Sequence, residues 1–74
     1  MFDKDLLVDT LKVKMPFGKY KGVLICDLPA FYLEWFLNKD GFPQGKLGDM
    51  MAMIYQIKTN GLEEIIANLK KEIT

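Results

Sequence analysis

Seventy-four residues, half of them apolar, with ten lysines balanced by ten acids and no histidine, suffice for one small domain and exclude two. At that length one core is marginal and one cysteine permits no disulfide within the chain, so a single domain over residues 1–74 must rely on dense packing or self-association. No apolar run approaches the roughly 18 residues that span a bilayer, and the expectation is a soluble cytoplasmic protein that makes no membrane contact.

The first predicted element is a short amphipathic helix from Asp3 to Lys12, with Leu6, Leu7 and Leu11 on its apolar side and Asp3 and Asp5 at its start. Next comes the alternation Val13-Lys14-Met15-Pro16-Phe17, then Gly18-Lys19-Tyr20-Lys21-Gly22, then the apolar run Val23-Leu24-Ile25-Cys26. This pattern predicts two β-strands joined by a glycine-containing turn, the first on an edge because Pro16 has no N–H to donate.

Asp27-Leu28-Pro29 reads as the approach to a second helix, over about Pro29 to Lys39, ended by Asp40-Gly41. Phe31, Tyr32, Leu33, Trp35, Phe36 and Leu37 make this helix apolar around more than one face, which predicts a central position with Trp35 and Phe36 in the core. A loop over Gly41-Phe42-Pro43-Gln44-Gly45 follows. A third helix is predicted over Lys46 to Thr59, with Leu47, Met50, Met51, Ile54 and Ile57 on one stripe, Met53 off it, and Asn60-Gly61 as its stop. A fourth carries Leu62, Ile65, Ile66, Leu69 and Ile73 on one face, with Glu63 and Glu64 at its start and Lys70 and Lys71 at its end, matching the helix dipole. The expected fold class is therefore α+β: a helix, a two-stranded antiparallel β-hairpin, then three helices.

The residue inventory bounds the chemistry. Without Ser, His or Arg there is no triad, and one Cys without His builds no ordinary zinc site. The acids are scattered, and the adjacent pair Glu63-Glu64 reads as a first-turn charge, so neither a metal nor another cofactor is expected, and no enzymatic activity. Cys26, beside the anionic Asp27, reads as a buried structural thiol. Neither Gly18-Lys19 nor the six-residue stretch from Gly41 to Lys46 makes a phosphate-binding loop.

The balanced charge hides an asymmetry. Between Thr10 and Cys26 the chain carries Lys12, Lys14, Lys19 and Lys21 and no acid. Lysines that neutralise phosphates, with an aromatic ring between two of them, are what a nucleic-acid backbone and its stacked bases would engage. The plainer account is a solvated edge strand that its lysines protect from pairing.

Met15-Pro16-Phe17-Gly18-Lys19-Tyr20-Lys21-Gly22, Asp27-Leu28-Pro29 and Tyr32-Leu33-Glu34-Trp35, with the later Gly41-Phe42-Pro43-Gln44-Gly45-Lys46-Leu47-Gly48 and Asn60-Gly61-Leu62, resemble a small bacterial family described as "putative quorum-sensing-regulated virulence factor". The resemblance covers nearly the whole chain from Met15 onward. A looser form of its first half is similar to the accessory module at the C-terminus of exodeoxyribonuclease X-like proteins, which here would stand without a nuclease domain. The resemblance implies a nucleic-acid-associated context and falls on the turn that carries the lysines. The function expected is a non-enzymatic module that binds DNA or RNA weakly and in a salt-dependent way, through Lys12, Lys14, Lys19 and Lys21 on phosphates and Phe17 and Tyr20 beside them, with Tyr20 stacking. The alternative is a protein-interaction or homodimerisation module.

Overall fold

The computed structural model describes residues 3–73, with side-chain surroundings through residue 72. Helix α1 (Lys4–Thr10) starts at Asp3, whose carboxylate accepts from the N–H groups of Asp5 at 2.9 Å and Leu6 at 3.2 Å. Helix α2 (Ala30–Asn38) starts after Pro29, whose carbonyl accepts from the N–H groups of Tyr32 and Leu33. Helix α3 (Lys46–Thr59) follows Gly45 and ends at Asn60, which donates both its backbone and its side-chain N–H to the Gln56 carbonyl. Helix α4 (Glu63–Ile73) keeps its acids in the first turn and its lysines in the last. The third helix has the predicted bounds, and the first two lie within a residue or two of theirs. Ile73, the last residue of the predicted α4 face, lies outside the residues whose side chains are described.

The fold is all-α, which corrects the expected α+β class. Among the described residues there is no strand, only an isolated antiparallel bridge between Lys14 and Leu24. The Met15 N–H donates to Val23 O at 2.8 Å and the Ile25 N–H to Val13 O at 3.0 Å. Beyond that pair the ladder fails for two reasons. Pro16 has no donor, and Gly22, at φ +89, gives its N–H to Met15 O while Val23 turns its own back to Tyr20 O. The returning arm then curls into a 3₁₀ turn, Ile25–Asp27, where a strand had been expected.

The centre of the core is α3 rather than α2. Met50, Met51, Met53, Ile54 and Ile57 are all buried, meeting Leu7 and Leu11 from the first segment, Met15 from the loop, and Ile25, Cys26 and Leu28 around the 3₁₀ turn. Met53 lies in this core although it stands off the predicted stripe. Helix α2 contributes only Leu33 to the fully buried set, and Trp35 is half exposed, which corrects its expected place in the core. Helix α4 is held by Ile66, by partly buried Ile65 and Leu69, and by an ion pair of 2.6 Å from Lys70 to Asp27. No helix among the described residues is long and apolar enough to cross a membrane.

Cys26 is buried as expected, and its pKa is raised, first by that burial and then by the neighbouring Asp27 charge. The unfolded chain therefore releases this proton first, at about pH 8.5, and stability falls as pH rises beyond that point. Lys70 has the same consequence by the opposite chemistry. Its hydrogen bond to Asp27 raises its pKa, so its contribution is complete below about pH 10.4, the unfolded value, and is lost as pH rises through the folded one. The denaturant midpoint is expected to decline as pH rises above about 8.5, and Cys26→Ala to remove the first part of the decline. A midpoint for the parent that is the same below and well above that pH would contradict this.

Candidate nucleic-acid interface

The loop after α1 crosses α2 at Gly18. This residue sits at φ +79, where a side chain is strained, and a Cβ there would lie 2.9 Å from the Tyr32 hydroxyl oxygen, so a larger residue would have to displace that hydroxyl. The crossing brings Tyr20 onto Tyr32, with ring centroids 4.6 Å apart, and within 6.4 Å of Phe31. Phe36 joins the two segments edge-on, 6.4 Å from Phe17, 5.2 Å from Tyr32 and 5.1 Å from Trp35. Edge-to-face pairs of this kind fix ring orientation as well as adding to packing.

Between these rings lies an open cleft of about 560 Å³, with Lys19 in its lining and no acidic residue there. Three rings in its walls are open to solvent: Phe31 is 66% exposed, Trp35 51% and Phe17 43%. Single exposed rings need no explanation, but rings contiguous in one concavity mark a binding surface. A second cleft of about 360 Å³, running over Lys39 to Gln44, shares Trp35 and Phe36 with the first. Lys39 Nζ stands 5.2 Å from the Trp35 ring centroid and Lys19 Nζ 5.8 Å from that of Tyr20, so each ammonium rests near an aromatic ring.

Lys46 pairs with Asp9 at 2.7 Å and Lys70 with Asp27. Lys12, Lys14, Lys19 and Lys21 are exposed and make no ion pair among the described residues. Of the site residues expected from sequence, Phe17, Lys19 and Tyr20 are brought together in the first cleft. Lys12, Lys14 and Lys21 stand on the same loop but do not line it. Tyr20 is partly buried against Tyr32 and forms a wall rather than a free stacking platform.

Phe31, Trp35 and Lys39 were not among the expected site residues. Their signal was present, because they recur at intervals of four and so share one stripe of α2, ending in a lysine. The buried Leu33 lies off that stripe. Among the described residues no cluster of His, Cys, Asp or Glu is placed to hold a metal ion.

The family model described as "Putative quorum-sensing-regulated virulence factor" matches residues 3–69. The "Uncharacterized protein YpeB" of Escherichia coli (strain K12) is 46% identical over 71 residues, covering 96% of this chain and 99% of the relative, and its counterpart in Escherichia coli O157:H7 matches equally. No solved structure matches the chain.

Proposed function

Since the chain belongs to the family described as "Putative quorum-sensing-regulated virulence factor", a description that carries no chemistry, we propose its function from the site itself: a non-enzymatic module that binds nucleic acid weakly. One observation carries this reading. Four lysines that have no carboxylate partner among the described residues lie on the loop that forms one wall of an exposed aromatic cleft. The lysines neutralise phosphates and the rings offer sequence-tolerant contact. With formal charge zero over the whole molecule, long-range attraction is small and the binding is local and weak.

Four phosphate contacts give a log–log salt slope of roughly −3 to −4, depending on strandedness. Oligonucleotide affinity, followed by fluorescence anisotropy, is expected to fall along that slope. It should be lost at physiological salt in the Lys19→Glu, Lys21→Glu double variant. A salt-independent affinity, or full affinity in the double variant, would overturn the proposal.

The scarcity of polar groups in the cleft favours a second reading, a protein-docking or self-association surface. That reading requires a mass that rises with concentration, or a partner displaced by changes at Phe31, and a strictly monomeric chain refutes its homodimer form.

A further inference from the structure

The exposed stripe of α2 adds a distinction that the lysines alone cannot make. Duplex DNA hides its base faces in the stack and presents phosphates and base edges to a protein. Rings set inside a concavity have nothing to stack on in such a ligand. An unpaired strand offers one π-face per nucleotide, and aromatic platforms with basic neighbours are the general means of holding it.

We propose that the two joined clefts form a track for single-stranded nucleic acid, in which unpaired bases stack on Phe31 and Trp35 while Lys19 and Lys39 hold the flanking phosphates. This rests on the nucleic-acid reading above and narrows its ligand to unpaired strands. Three features support the assignment. The clefts share Trp35 and Phe36, so a strand can pass from one to the other. A lysine stands at the aromatic wall of each, Lys19 by Tyr20 and Lys39 by Trp35; the first cleft is lined by no acid and the second by one, Asp40. Phe31 and Trp35 are the more exposed of the cleft's rings, so neither has to leave the core to receive a base.

The test uses the full chain with a twelve-nucleotide thymidine strand and with a duplex of the same length, at low and near-physiological salt. Trp35 is the only tryptophan, so its emission reports on the track directly. The single strand is expected to bind at least about tenfold tighter than the duplex and to quench Trp35. Trp35→Ala should weaken single-strand binding by about five- to a hundredfold, as removal of one stacking platform does. Its salt slope should match the parent's, because no phosphate contact is lost. Trp35→Phe, which keeps a flat ring, should retain most of the affinity, and thermal melting of each variant separates loss of binding from loss of fold.

Equal affinity for strand and duplex, with no effect of Trp35→Ala, would overturn the track and leave phosphate binding by the lysines intact. Failure of both oligonucleotides to bind at low salt would overturn both proposals. A concentration-dependent dimer weakened by Trp35→Ala, with no oligonucleotide bound, would overturn both and give the clefts to a second copy of the chain.

Discussion

Gly48→Ala is expected to cost about 3 kcal/mol or more, at the upper end of what overpacking does in a protein core. Gly48 lies in the first turn of α3, where alanine would ordinarily gain about 1 kcal/mol through helix propensity. Here the added Cβ would fall onto the Pro43 carbonyl oxygen and lie 2.9 Å from the carbonyl carbon, with the Phe42 side chain at 3.5 Å. The obstacle is backbone, so no rotamer change relieves it. Either the loop before α3 lifts away or the helix is displaced, and each breaks the packing of Phe42 on Tyr55 and Phe36. A denaturant midpoint for Gly48→Ala equal to the parent's would show that the loop does not ride on this turn.

The second large effect is a contrast. Ile54 is wholly buried at the middle of α3, and Ile54→Ala should cost about 2–5 kcal/mol through lost transfer energy and the cavity left behind. Trp35 is a larger side chain, but half of it already faces solvent and its main fixed partner is Phe36. Trp35→Ala should therefore cost only about 1–2 kcal/mol, from partial burial and one aromatic pair. Unfolding both variants in urea decides the matter. If Trp35→Ala costs more than Ile54→Ala, α2 is a core element and its rings are not available to a ligand.

Helix bounds were legible wherever chemistry fixes them locally. Asp3 caps α1, Gly41 closes the end of α2 by donating its N–H to Phe36 O, and Asn60 and Gly61 stop α3. The predicted hairpin failed because the pattern Val13, Met15, Phe17 has the period of a strand without its environment. Only Met15 is buried, while Val13 and Phe17 are exposed at the loop surface. Pro16, read as the mark of an edge strand, removes a donor that the ladder needs, and the turn at Gly22 completes the break. The aromatic site was obscured for a related reason. A helix apolar all round can be buried all round or can display rings to a ligand, and hydrophobic periodicity does not separate the two. The lysine at the end of the Phe31, Trp35, Lys39 stripe was the mark of an outward face. The basic loop was legible because a run of four lysines without an acid needs no tertiary context to be seen.

Sulfur chemistry gives the core a further property. Met15, Met50, Met51 and Met53, four of the chain's five methionines, sit in it with at most 8% of their surface exposed. Unbranched thioethers fill irregular gaps and accept exchange for leucine at small cost, usually below about 1.5 kcal/mol. They are also the side chains that peroxide converts to polar sulfoxides. In the folded protein an oxidant reaches them chiefly through opening of the core, and each sulfoxide then opposes closure. Oxidative damage in this molecule is therefore gated by unfolding and reinforces it, so peroxide under mildly denaturing conditions is expected to unfold the chain cooperatively rather than wear it down by degrees.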